Sequence, residues 1–124
     1  MLLNGNIMLN TRKIQVFRPR ALTNTNEVIS DELAECGKFV KIAVFVKNNH
    51  NKKVDIRLVG NESSQPGDTI PLSRWVTCDE KSKSIISVEP HIWMIYMGVS
   101  IKPLEAPGSG DIEVLFFAQE DMSR

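Results

Sequence analysis

Two histidines, His50 and His91, and two cysteines, Cys36 and Cys78, are the side chains whose chemistry would be easiest to recognise in this chain. An imidazole acts as a general base or metal ligand only where a second group orients it. His50 sits in an asparagine-rich turn, Asn48-Asn49-His50-Asn51-Lys52, where a histidine is expected to face solvent, and His91 follows Pro90 at the entrance to an apolar run. The cysteines are too few and too far apart for a zinc site or a disulfide scaffold, so thiols are expected. A bridge between them would require Cα atoms within about 7 Å. No Gly-x-Ser-x-Gly elbow or Ser-x-x-Lys context accompanies the serines. The carboxylates Glu32, Glu35, Asp79, Glu80, Glu89, Glu105, Asp111, Glu113, Glu120 and Asp121 are scattered over turns and strand ends. Paired acid–base work would need two of them about 5 to 9.5 Å apart, and their spacing gives no reason to propose it.

Ligand-holding patterns are equally sparse. Gly108-Ser109-Gly110 lacks the third glycine and the following helix of a phosphate loop and reads as a flexible hairpin tip. Asn61-Glu62 and Asp68 flank a polar loop of the kind that holds calcium in some sandwich domains, but EF-hand spacing is absent, and Asn, Asp and Gly are enriched in turns for backbone reasons alone. Neither a metal nor a cofactor is expected, and the chain reads as non-enzymatic. Fifteen Lys+Arg balance fifteen Asp+Glu, which removes any long-range field toward nucleic acid. No window approaches the roughly 18 apolar residues of a membrane-spanning helix. The N-terminal Met1 to Leu9 is split by Asn-Gly-Asn and has no basic flank, unlike a signal peptide, so neither secretion nor membrane insertion is expected.

Aromatic side chains offer another chemistry, because sugar rings stack on exposed Trp and Tyr. Trp93 shares a face with Ile95 and Met97 in the most apolar run and is expected in the core. Tyr96 points the other way. Trp75 stands beside Arg74 after a polar loop, and Trp75, Arg74 and Tyr96 are therefore the candidate carbohydrate-binding residues.

The elements that must position these residues are strands. From Lys38 to Lys47 the alternation places Val40, Ile42, Val44 and Val46 on one face, and from Lys53 to Val59 Val54, Ile56 and Leu58 alternate with Asp55 and Arg57. The polar turn between them predicts an antiparallel hairpin. Further strands are predicted at Arg12 to Arg18, stopping at Pro19, and at Thr69 to Cys78, Ser84 to Val88, Ile92 to Ile101 and Asp111 to Gln119. Glu27 to Glu35 is ambiguous: Glu27-Val28-Ile29-Ser30 suits a short strand, whereas Leu33-Ala34-Glu35-Cys36 before Gly37 suits a helical turn. The chain of 124 residues is thus expected to form one all-β domain, a two-sheet antiparallel sandwich of jelly-roll or immunoglobulin-like topology. At most one short helix is expected, near Asp31 to Cys36, with residues 1–11 as an N-terminal arm.

The segments Phe45-Val46-Lys47-Asn48-Asn49 and Val54-Asp55-Ile56-Arg57-Leu58, then Trp75, and then Ile112-Glu113-Val114-Leu115-Phe116-Phe117-Ala118-Gln119 resemble a family of uncharacterised bacterial β-sandwich domains. The resemblance spans Lys38 to Gln119 as a pattern of strands and turns, and it implies a compact binding or structural module without contributing site residues.

Two runs are apolar on both faces. Ile92 to Ile101 therefore belongs in the middle of a sheet or under a loop or neighbouring subunit. On the last strand Leu115 and Phe117 alternate with Ile112, Val114, Phe116 and Ala118, and a two-layer sandwich buries only one face of each sheet. Leu115, Phe117 and Met94 are accordingly the candidate interface residues of a self-associating module, or of an accessory domain on a phage, spore or other particle. Carbohydrate binding through the exposed aromatics is the second reading.

Overall fold

Strands with an apolar side chain at every second position need a second layer to cover that face, and this chain builds two sheets that cover each other. The computed structural model describes residues 9–87 and 94–121. Its strands are β1 (Leu9–Arg20), β2 (Val28–Ile29), β3 (Ala34–Glu35), β4 (Phe39–Asn48), β5 (Val54–Asn61), β6 (Ile70–Pro71), β7 (Val76–Cys78), β8 (Ser82–Ser87), β9 (Tyr96–Pro103) and β10 (Ile112–Asp121). One sheet runs β1-β10-β4-β8; the other runs β2-β9-β5-β6, with β3 also on β9 and β7 also on β5. All pairings are antiparallel. Taking β2 with β3 and β6 with β7 leaves four strands per sheet, and the chain crosses between sheets at every step but the one from β5 to β6. That interleaving is a jelly roll rather than an immunoglobulin fold.

Between the sheets lie the fully buried Phe17, Phe116, Ile56, Met97, Ile101 and Ile112. The alternation of β10 is as predicted, with Ile112, Val114, Phe116 and Ala118 turned inward. β9 occupies the middle of its sheet, between β2 and β5. Its outer face is covered within the chain: a Cβ at Gly98 would collide with Ser30 Oγ and Leu33 Cδ2, so the β2–β3 connection lies directly upon it. The beginning of the predicted strand, Ile92 and Trp93, and the neighbouring His91 lie outside the described residues.

Several expectations are corrected. The segment from Lys38 to Val59 is not a hairpin: β4 pairs with β10 and β8, and β5 with β9, β6 and β7, so the Asn-rich turn carries the chain from one sheet to the other. Val40 does not share the face of Ile42. A bulge opposite Gln119/Glu120 turns Val40 outward, 54% exposed, and Phe39 takes the inward place. Pro19 does not end β1, because β1 is an edge strand, where a missing N–H on the outer side breaks no ladder bond; register shifts accompany its last residues. Leu33 to Cys36 is not helical, since Ala34 and Glu35 pair with Met97 and Tyr96. The one helical element among the described residues is the 3-10 turn Pro66–Asp68. The predicted strand Thr69 to Cys78 is split into β6 and β7.

Cys36 and Cys78 are buried and form no disulfide. Burial pushes the Cys36 thiol up to about 12 and raises that of Cys78, so both remain protonated and unreactive at neutral pH. No helix among the described residues is long and apolar enough to cross a membrane.

Candidate interaction surface

The outer face of the β1-β10-β4-β8 sheet is ordered by strand register into rows. Gln15, Leu115, Phe45 and Ile85 stand side by side across the four strands, and Lys13, Phe117 and Ala43 form the next row. Thr11, Gln119 and Lys41 flank this band on one side, and Glu113, Lys47 and Lys83 on the other. The centre is thus apolar and the margins are polar and basic. Leu115 is buried by its neighbours, whereas Phe117 is 38% and Ile85 69% exposed. The Phe45 and Phe117 rings lie 5.8 Å apart, tilted by 53°, a favourable aromatic geometry. Beside Phe117, a hollow of about 170 Å³ is lined by Thr11, Lys41, Ala43, Ala118 and Gln119. Lys47 pairs with Glu113 at 3.4 Å, and Gln15 Nε2 donates to the same carboxylate.

The expected interface residues Leu115 and Phe117 therefore adjoin, but Met94 does not join them. Met94 is partly buried near Gly60, packed on the core. The sequence reading missed Phe45 and Ile85. Both stood at outward positions of their strands, but only the pairing of β4 with β10 and β8 shows that they continue the apolar band.

On the other sheet's outer face, Trp75 is half-buried and carries two cations: the Arg57 guanidinium 4.2 Å and the Lys102 ammonium 4.7 Å from the ring centroid. Arg57 also donates to Glu27 at 3.2 Å, and its Nε is buried with no hydrogen-bond partner among the described residues. The Ser100 hydroxyl, which donates to Glu27, together with Arg57, holds that carboxyl below the ordinary carboxylate range. Arg74, the basic neighbour in sequence, is exposed and is not the residue that stacks on the ring. Tyr96 pairs with Asn61, while Lys102 pairs with Asp55, six residues further along β9. Arg57 pairs with Ser100, four residues from Tyr96, so Tyr96 is about 13 to 20 Å along the strand from the two cations of the stack, and the three candidate carbohydrate-binding residues do not converge. A sugar stacking on Trp75 would have to use ring surface that Arg57 and Lys102 leave uncovered. Trp75→Ala is expected to cost about 1–2 kcal/mol, the scale of two partly exposed cation–π contacts with some lost packing. Urea unfolding would measure it, and a loss above about 3 kcal/mol would mean a truly buried ring.

His50 is fully buried, contrary to the solvent-facing position expected of it. Its Nε2 accepts the Leu22 N–H at 3.3 Å, and its Nδ1 lies 3.0 Å from the Ser109 carbonyl, a pairing that places the ring proton on Nδ1. Its own N–H donates to Asn48 Oδ1 and its carbonyl accepts from Lys81 N–H. Both ring nitrogens are therefore committed to holding loops together, and neither is available as a base or ligand. Asn61, considered for calcium, closes its own loop: Nδ2 donates to the Gln65 carbonyl at 2.7 Å and Oδ1 accepts the Glu62 N–H at 2.8 Å. Among the described residues no group of His, Cys, Asp and Glu is arranged to hold a metal.

No protein-family model and no curated protein matches the chain, so the resemblance to uncharacterised bacterial domains reduces to the sandwich itself. Similar solved structures include the SPBc2 prophage-derived protein YomS, with 8% identity and a TM-score of 0.46 over 91% of this chain and 96% of that one. The Tobacco streak virus coat protein is 7% identical, with a TM-score of 0.47 over 97% of this chain and 89% of its own. A chain of infectious bursal disease virus, Gx strain, is 7% identical with a TM-score of 0.47, over 91% of this chain and 32% of that chain. The likeness is one of all-β architecture and says nothing about what this chain binds.

Proposed function

We propose that this protein is a non-enzymatic structural module that associates with copies of itself through the outer face of the β1-β10-β4-β8 sheet. The observation that supports the reading is the band of Phe45, Ile85, Leu115 and Phe117: an aromatic pair and two aliphatic side chains in register on the outer face of the sheet, with Phe117 and Ile85 exposed. Contiguous apolar surface with a polar margin is the pattern of a protein–protein contact. The buried, loop-tying role of His50 agrees with a scaffold better than with a catalyst.

Sedimentation over a range of protein concentrations tests the reading, and Phe117→Asp locates the contact. The aspartate is expected to weaken association by about 2 kcal/mol or more, roughly 30-fold, because it replaces an aromatic contact with a carboxylate that association would desolvate. Its melting temperature should stay within a few degrees of the parent, since Phe117 is already partly exposed. A wild-type chain that sediments as a monomer at every concentration would defeat the proposal.

A further inference from the structure

The charge on the candidate interface constrains how two copies can meet, given the self-association reading on which this inference rests. Lys13, Lys41, Lys47 and Lys83 border the apolar band, and the one carboxylate among them, Glu113, is already paired with Lys47. Lys13, Lys41 and Lys83 form no ion pair among the described residues. About a two-fold axis two such faces would offer Lys13, Lys41 and Lys83 no carboxylate but Glu113, which Lys47 already holds, so a symmetric contact would desolvate these ammonium groups without partners. Yet the whole chain is neutral, with fifteen basic and fifteen acidic residues, so the complementary carboxylates lie elsewhere on its surface.

One segment combines them with an apolar side chain. The segment Glu62–Pro71, the connection after β5 together with β6 at the edge of the opposite sheet, contains Glu62 and Asp68 and no Lys or Arg. Neither carboxylate forms an ion pair among the described residues, and Ile70 at its end is 53% exposed. Other exposed connections do not match as well. The Asp79–Lys83 turn mixes both signs, and after the exposed Leu104 the Glu105 carboxylate is already held by Lys52 at 3.3 Å. We propose that association is head to tail: the Glu62–Pro71 segment of one copy sets Ile70 into the hollow beside Phe117 of the next, with Glu62 and Asp68 against Lys13 and Lys41. A contact between two different surfaces leaves one of each free, so it propagates into a closed ring or an open chain instead of stopping at a dimer.

Two charge-reversed proteins test this, Lys13→Glu/Lys41→Glu and Glu62→Lys/Asp68→Lys, all at exposed positions. Each alone sets like charges across the contact and should raise the dissociation constant about tenfold or more. Mixed in equal amounts, each face meets a loop of opposite sign, and sedimentation should return to that of the wild type. Association of the wild type should also weaken as salt rises from about 0.05 M to about 0.5 M, where exposed charges are screened. A loop variant that assembles like the wild type, with Phe117→Asp still dissociated, would overturn the head-to-tail contact while leaving the face in use. A mixture that fails to reassemble, or a salt-independent closed dimer, would overturn it as well. A wild type that never associates would instead overturn the self-association reading beneath it.

Discussion

His50→Ala is expected to destabilise the fold by about 3 kcal/mol or more, a fall in melting temperature on the order of 10 °C. The ring joins three connections at one end of the sandwich: Leu22 after β1, its own turn between β4 and β5, and Ser109 between β9 and β10. Truncation leaves the buried Leu22 N–H and the part-buried Ser109 carbonyl without their partner, and a buried group left so costs about 1–3 kcal/mol. The vacated volume adds a cavity cost. His50→Gln keeps one donor and one acceptor on a side chain of similar reach, so it should lose less. Chemical denaturation of the three proteins would check the order, and a His50→Ala loss below about 1 kcal/mol would show that the loops hold without the ring.

Gly110→Ala should be comparably damaging, at about 2–5 kcal/mol, while Gly108→Ala in the same loop should be close to neutral. Gly110 has φ of +85°, a conformation that costs an L-residue about 1–2 kcal/mol. A Cβ there would also strike the Asn49 carbonyl oxygen and lie 2.7 Å from its carbon and 2.9 Å from His50 Cα, all backbone atoms that cannot swing aside. Overpacking of this kind typically adds 1–3 kcal/mol. At Gly108 the nearest atom is the Asn51 amide nitrogen at 3.5 Å, an ordinary contact. Equal melting temperatures for the two variants would contradict the close approach. The Gly108-Ser109-Gly110 tip, read from sequence as a flexible end, is therefore a docked one: its backbone supports His50, and the Gly108 N–H donates to Asn51 Oδ1 at 2.9 Å.

Alternation of side chains is a local property, and the chain displayed it openly. A period of two in Ile112 to Gln119 predicted which side chains enter the core, and the same period marked Leu115 and Phe117 as a second apolar face that no two-layer sandwich buries. The all-β class followed from this period alone, as did the covered outer face of β9. Strand partnership is not local. The turn at Asn48 to Lys52 has the composition of a hairpin, but β4 and β5 gain more by facing each other across the core, where Val44, Val46, Val54 and Ile56 are all buried, than by lying edge to edge. Nothing within a strand's own residues states which strand will flank it. For that reason Phe45 and Ile85 could not be joined to Phe117 from sequence, nor could Arg57 and Lys102 be found beneath Trp75. The bulge at Val40 and the burial of His50 have the same origin: each depends on what backbone lies opposite, and that is settled by the packing of segments distant in the chain.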